Sequence, residues 1–225
     1  KQQVAILRTE TGEVWEQELL HAGDVVEQFY ATLPRPVTVG IETTGYALWF
    51  HELMQRLGHT LLVGEAAQIR AMVVRKTKTD RRDARHLRDL LQHNRFPAVW
   101  VPDPATRDQR ALVTHRLRLV RMRTMIKNGL HAIALNRRLT LGRSLLTQRG
   151  LVQLRALALP PHTAHRRDES LELLAWLTAR IDALDGQIEQ LAAADPRAAR
   201  LCTHPGVGAP TALTTVLVLG SPMRF

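Results

Sequence analysis

The sequence is poor in cysteine, in aromatic residues and in long apolar runs. Its one cysteine, Cys202, has no partner in the chain, which excludes a disulfide-built scaffold and fits a reducing, cytoplasmic setting. Aromatic residues make up only 4% of the 225 residues. No apolar stretch reaches the roughly 20 residues that a membrane-spanning helix needs. With 45% hydrophobic residues, the sequence predicts a globular protein that does not act in a membrane.

Positive charge is concentrated in the middle of the chain. Overall, 31 basic residues outweigh 21 acidic ones and give a formal net charge of +10. The net charge is −5 over residues 1–69, +16 over residues 70–155 and −1 over residues 156–225. Ordinary solvated protein surfaces usually carry positive and negative charges side by side, whereas a strongly basic region is typical of proteins that bind the phosphates of nucleic acid. The middle third is therefore predicted to bind nucleic acid.

The first hundred residues alternate between strand-like and helix-like segments. An apolar, strand-like run at 4–7, a Thr-Gly turn and a returning strand at 13–15 predict a hairpin. The β-branched run 37–41 predicts a buried strand that ends at Glu42. This order predicts a mixed sheet flanked by helices, an α/β domain over residues 1–104. The other predicted elements are helices at 24–32, 46–57 and 79–94 and strands at 59–63 and 98–101.

From residue 105 the apolar pattern becomes that of long helices. Apolar residues recur every seven positions between 112 and 133 with arginines between them, which predicts a long basic amphipathic helix. Apolar residues from 174 to 191 then step by three and four, a heptad seam of about three repeats. We expect this seam to pack within the chain as a helical hairpin rather than between two chains. The predicted regions are a helical, coiled-coil region at 105–196 and the start of a helical C-terminal domain at 197–225.

Three carboxylates stand where catalytic metal ligands are expected. Glu42 ends a predicted strand, at the edge of an α/β sheet where ligands collect. Asp80 and Asp83 lie three residues apart at the start of a predicted helix, so both project from one face. Carboxylate oxygens bind Mg²⁺ or Mn²⁺, and such ions catalyse phosphoryl transfer on phosphodiesters. The basic residues that would hold phosphates beside them are Arg75, Lys76, Lys78, Arg81 and Arg82.

The same aspartates have an alternative, structural interpretation. With Asp80 as an N-cap and Asp83 about one turn later, both would stabilise the positive end of the helix without a metal. The histidines have no cysteine partners, which argues against zinc. Cys202 and His204 lack a third catalytic partner, so Cys202 is interpreted as a small packed residue.

A glycine-containing turn, Pro205-Gly206-Val207-Gly208, precedes the last predicted helix. It is similar to the turn of a helix-hairpin-helix, in which glycines let backbone N–H groups approach a phosphate. An ordinary turn between two helices is the alternative. The pattern by itself does not decide between them.

Three sequence blocks together resemble the DEDD transposases of bacterial insertion sequences that are guided by a bridge RNA. The blocks are VGIETTGY at 39–46, KTDRRDA at 78–84 and HPGVG at 204–208, in the order of that family. The second block is specific, and the glycine turn is supporting evidence. The resemblance covers essentially the whole chain.

The resemblance implies a RuvC-like N-terminal domain of the ribonuclease H type, a long helical middle and a C-terminal transposase domain. It maps the second to fourth acidic metal ligands of the family onto Glu42, Asp80 and Asp83. The first aspartate of the family would precede Lys1, and the catalytic serine would follow Phe225. A fragment with three of four ligands and no serine would be inactive by itself.

The resemblance also implies the partners of the protein. They are donor and target DNA, a structured guide RNA and further copies of the chain in a homo-oligomer, a dimer or tetramer, in the bacterial cytoplasm at the nucleoid. Base pairing of the RNA would supply specificity, while the protein holds backbones by phosphate and shape. The candidates for these contacts in the helical part of the chain are Arg116, Arg121, Arg123, Lys127, Gly206 and Gly208.

Two other functions fit the same residues. A structure-selective junction endonuclease would use the carboxylates with a divalent ion and would grip the duplex with the glycine turn. A non-catalytic helical scaffold would bind nucleic acid and use the aspartates only as caps. The leading prediction is a DNA transposase that carries out metal-dependent phosphoryl transfer.

Overall fold

The computed structural model describes residues 1–42, 47–72, 79–221 and 223. The chain divides into two compact units, Lys1–Val101 and Pro102–Phe225. The first unit is mixed α/β and the second is helical. Among the described residues, none of the helices combines the length and the apolar character needed to cross a membrane.

The described strands of the first unit form a hairpin and a three-stranded sheet. The hairpin pairs β1 (Gln2–Leu7) antiparallel with β2 (Val14–Leu19), which confirms its prediction. In the sheet, β3 (Thr38–Glu42) runs parallel to β4 (Thr60–Gly64), and β5 (Ala98–Val99) pairs antiparallel with the end of β4. The sequence predicts one mixed sheet, whereas the described strands form two.

Four helices accompany these strands: α1 (Val25–Ala31), α2 (Leu48–Leu57), α3 (Ala66–Ala71) and α4 (Asp80–Gln92). The hydrophobic core joins Leu19 of β2 to Tyr30 of α1 and to Met54 of α2. Helix α4 packs against both β1 and β3, so side chains rather than strand hydrogen bonds connect the hairpin to the sheet. Of the four helices, α3 is absent from the sequence predictions, because six residues are too few to show a helical period.

The second unit is built on two long helices with shorter elements at both ends. They are α5 (Pro104–Leu135), a 3₁₀ helix (Gly142–Leu146), α6 (Gln148–Arg155), α7 (Pro161–Ala194), α8 (Pro196–Cys202) and α9 (Ala209–Leu219). Leu119 of α5 packs with Leu177 and Ile181 of α7, while Val113, nearer the start of α5, packs with Ile188. This reversed order makes the two helices antiparallel. The heptad seam therefore has its partner within the chain, as predicted.

Candidate functional site

Helix α4 begins with the two aspartates that the sequence singles out. Its N-cap is Thr79, whose Oγ1 accepts a hydrogen bond from the backbone N–H of Arg82 at 3.3 Å. Asp80 and Asp83 are the first and fourth helical residues, so they lie on one face. The interpretation of Asp80 as the N-cap is wrong, because the hydroxyl of the preceding threonine takes that role.

Neither aspartate carboxylate is used to hold the described part of the chain together. Asp80 is exposed and Asp83 is half-buried. Neither side chain forms a hydrogen bond or an ion pair there. The ammonium of Lys1 pairs with Glu18 at 3.0 Å, which raises the pKa of Lys1, and the charge of Asp80 adds a smaller contribution. A half-buried carboxylate with no partner in the fold is available to bind a ligand.

Glu42, the third predicted ligand, ends β3 and is half-buried. Its strand lies against α4 and pairs Glu42 in register with Gly64 of β4. The residues that follow it, 43–46, are outside the described part. Within the described ranges, no three histidine, cysteine, aspartate or glutamate side chains come close enough together to hold a metal ion. The structure thus places Asp80 and Asp83 on the first turns of α4, but it does not bring Glu42 together with them.

Glu16 of β2 fixes the start of α4 on the hairpin. Its carboxylate forms ion pairs with Arg81, at 3.2 Å, and with Arg85. The hydrogen bond from Arg85 is the main reason why the pKa of Glu16 is lowered. Sequence patterns do not indicate this contact, because Glu16 and Arg85 are 69 positions apart. The side chain of Arg81 is still 67% exposed, so Arg81 also faces solvent next to Asp80 in the sequence.

The predicted phosphate-binding residues of the first unit are only partly described. Arg81 and Arg82 lie on the first turn of α4 and are exposed. Arg75, Lys76 and Lys78 lie outside the described residues. Of the five predicted phosphate-binding residues, the structure therefore describes only the two on the first turn of α4.

On α5, Arg116 has a structural partner. Its Nε and Nη2 donate to the two carboxylate oxygens of Asp185 on α7 at 2.8 and 3.1 Å, and its side chain is only 19% exposed. We therefore leave Arg116 out of the nucleic-acid surface proposed below. The other predicted residues on this helix are Arg121, which is exposed, and Arg123 and Lys127, which are half-buried.

The predicted glycine turn lies between α8 and α9. Gly206 has a φ of 83°, a left-handed conformation that favours glycine. Gly208 precedes α9, and a Cβ there would meet only Pro210, at 3.8 Å. Packing therefore does not require glycine at position 208, which leaves its backbone open to approach from solvent. The phosphate-binding role of this turn stays a prediction.

Comparison with known proteins places the chain in a family. The sequence model of the IS110-type DEDD transposases matches residues 1–137, more than half of the chain. The match includes β1 to β5, the helices of the first unit and all of α5. A search of curated proteins gives no match.

Proposed function

Since this chain belongs to the IS110-type DEDD transposase family, we propose that it carries out metal-dependent phosphoryl transfer on DNA under the guidance of a structured RNA. Membership makes it a transposase of an insertion element, an enzyme class that cuts and joins DNA. One observation carries the catalytic part of the proposal. Asp80 and Asp83 share the first turns of α4, and the described fold uses neither carboxylate.

We assign Asp80 and Asp83, with Glu42 as the third ligand, to a divalent ion such as Mg²⁺ or Mn²⁺. The donor chemistry of the two aspartates supports this assignment, because carboxylate oxygens are the ligands that these ions prefer. Glu42 does not lie with them in the described structure, so its part in the assignment rests on the family resemblance. When bound, such an ion activates the attacking group and stabilises the leaving oxygen of a phosphodiester. The cap at Thr79 and the ion pairs at Glu16 keep the first turn of α4 in position.

The basic residues next to the two aspartates and along α5 would hold the phosphate backbone beside this site. Arg81 and Arg82 share the first turn of α4 with the aspartates, which places positive charge next to the proposed ion. The net charge of +16 over residues 70–155 supports binding of donor and target DNA and of a guide RNA. The further proposed contacts are Arg75, Lys76, Lys78, Arg121, Arg123, Lys127, Gly206 and Gly208.

A ribonuclease-H-type fold of the first unit and assembly into a dimer or tetramer belong to the same proposal. The scaffold alternative is weakened, because it needs Asp80 as a cap and Thr79 caps the helix instead. The junction endonuclease uses the same carboxylates. Family membership favours the transposase over it.

Binding to three nucleic acids tests the proposal. The chain would be titrated with a structured RNA, a DNA duplex and a branched DNA, each over a range of salt concentrations and with or without Mg²⁺. We expect tight binding of the RNA and of the duplex that weakens steeply with salt. Preference for branched DNA with indifference to RNA would instead support the junction endonuclease. Salt-sensitive binding that never responds to Mg²⁺ would support the scaffold.

A further inference from the structure

The segment that joins α5 to α7 carries arginines that do not stabilise the fold. Residues 109–167 contain 13 arginines and lysines but not one aspartate or glutamate. Five of these arginines follow α5 and precede α7, and all five are exposed. None of their side chains forms an ion pair or a hydrogen bond with the described chain. We call them the arginine cluster: Arg137, Arg138, Arg143, Arg149 and Arg155.

The backbone under the arginine cluster is closely packed. Leu145 of the 3₁₀ helix and Leu154 of α6 are fully buried in a core with Leu130 and Leu171 of the long helices. A Cβ at Gly150 would overlap the carbonyl oxygens of Ser144 and Leu145, so α6 lies directly against the 3₁₀ helix. The arginines therefore project from a folded surface and not from a loose loop.

Arg167, in the same region, is an arginine that does stabilise the fold, and its contacts differ from those of the arginine cluster. It is only 8% exposed, and its Nη1 donates to the carbonyl oxygens of Leu154, Arg155 and Leu157 at 2.9 to 3.3 Å. Asp168 accepts from its other nitrogens at 2.8 and 3.0 Å. The first acidic residue after position 108 is thus already paired with Arg167. Of the arginine cluster, Arg155 interacts with Asp168 only through its charge, and none of the five forms an ion pair.

Arg138 occupies a position where arginine is unfavourable. Its φ is 62°, and the next residue, Leu139, donates its N–H to the carbonyl oxygen of Ala134 at the end of α5. Glycine normally fills such a left-handed position after a helix, because a Cβ there is strained. The described structure gives the side chain no hydrogen bond or ion pair in return. The arginine is thus explained by its charge rather than by the fold.

We propose that the arginine cluster is a contact surface for the phosphate backbone of double-stranded DNA. Guanidinium groups bind phosphates through paired hydrogen bonds, and a field without acidic residues attracts a polyanion. No phenylalanine, tyrosine or tryptophan occurs between residues 101 and 175, so this segment lacks the large aromatic rings on which single-strand binders usually stack bases. Contact through phosphates alone suits a duplex and is independent of base sequence. This inference rests on the proposed function, because that function supplies DNA as the partner.

A triple substitution with a matched control tests the inference on the whole chain. The test variant is Arg138→Gln, Arg143→Gln and Arg149→Gln. The control variant is Arg35→Gln, Arg180→Gln and Arg200→Gln, which removes the same charge from three other exposed arginines without ion pairs. At about 0.1 M salt we expect the test variant to lose at least about tenfold in affinity for a labelled 30-bp duplex. The slope of the logarithm of its binding constant against the logarithm of the salt concentration should become shallower by about 0.9 for each phosphate contact that is lost. The control should change little in either quantity.

Arg138→Gly separates binding from folding. Glycine relieves the left-handed strain, so the thermal midpoint should rise while the affinity for the duplex falls. A merely structural arginine would not show these opposite changes. A rise in the midpoint with unchanged affinity would overturn the role of Arg138.

The outcomes of the triple test also separate this inference from the function on which it rests. Equal losses in the test and control variants would show an effect of bulk charge and would overturn the arginine cluster as a site. So would a loss of binding to an RNA hairpin with DNA binding intact, because it would assign the surface to RNA. A wild-type chain that binds no nucleic acid would instead contradict the proposed function itself.

Discussion

In the full-length transposase, Asp83→Asn abolishes transposition and leaves the thermal unfolding nearly unchanged: this is the largest effect that we expect from one substitution. Asparagine keeps the shape of the side chain and removes the negative charge. Because the Asp83 carboxylate has no hydrogen-bond or ion-pair partner in the described structure, the change removes only its interaction with the positive end of α4, about 0.5 kcal/mol. Loss of a metal-binding carboxylate should reduce activity by at least about 100-fold. Excision and insertion of the element in cells, and circular dichroism melting, measure the two quantities.

Two control variants on α4 make this result specific. Asp89→Asn changes another aspartate of the same helix, one that pairs with Arg88, and should leave transposition intact. Thr79→Ala removes the observed N-cap, so it should cost about 1 kcal/mol of stability while both site carboxylates stay in place. Full activity of Asp83→Asn would contradict the assignment. An unfolded Asp83→Asn protein would show that the aspartate is structural after all.

Leu177→Ala has the largest expected effect on stability. Leu177 is fully buried and packs with Leu119 of α5 and Ile181 of α7. Truncating a buried leucine leaves a cavity, so the free energy of unfolding should fall by about 3 kcal/mol. Trp176→Ala alters the neighbouring residue, which is 52% exposed, and should cost less than about 1 kcal/mol. Urea unfolding followed by circular dichroism compares the two variants.

Sedimentation of the wild-type protein and of Leu177→Ala tests where the heptad seam packs. With its partner in the same chain, Leu177→Ala should show the same association as the wild-type protein over an approximately hundredfold range of protein concentration. A shift of Leu177→Ala towards smaller assemblies would show that the seam packs between chains. Similar losses in Leu177→Ala and Trp176→Ala would also contradict the observed packing.

Local patterns predicted most of the described elements. The hairpin follows from two short apolar runs around a turn, and the long helices follow from apolar residues at heptad spacing. The end of α2 at Gly58 follows from a glycine that adopts a left-handed conformation, with a φ of 74°. Each of these signals lies within a few residues of the element that it specifies.

Contacts between distant residues could not be predicted in this way. The ion pairs of Glu16 with α4, and of Arg116 with Asp185, depend on how whole elements pack. The prediction of Asp80 as the N-cap of α4 was wrong for a local reason, since Thr79 and Asp80 are adjacent and both are good capping residues. A shift of one residue in the start of the helix decides which of them accepts the hydrogen bond.

The candidate site was partly visible in the sequence. Spacing placed Asp80 and Asp83 on one face of a helix, and the structure agrees. That the fold uses neither carboxylate could be seen only once the neighbouring side chains were placed. The arginine cluster had a sequence signal of a different kind, the absence of any acidic residue from 109 to 167.

Titration of the protein with Mn²⁺, followed by electron paramagnetic resonance, tests the central claim most directly, because it measures metal binding without requiring activity. We predict a saturable site in the wild-type protein. Asp83→Asn should weaken it by at least about tenfold, and Asp89→Asn should leave it unchanged. Equal Mn²⁺ binding by the wild-type protein and Asp83→Asn would contradict the assignment of Asp80 and Asp83 as metal ligands.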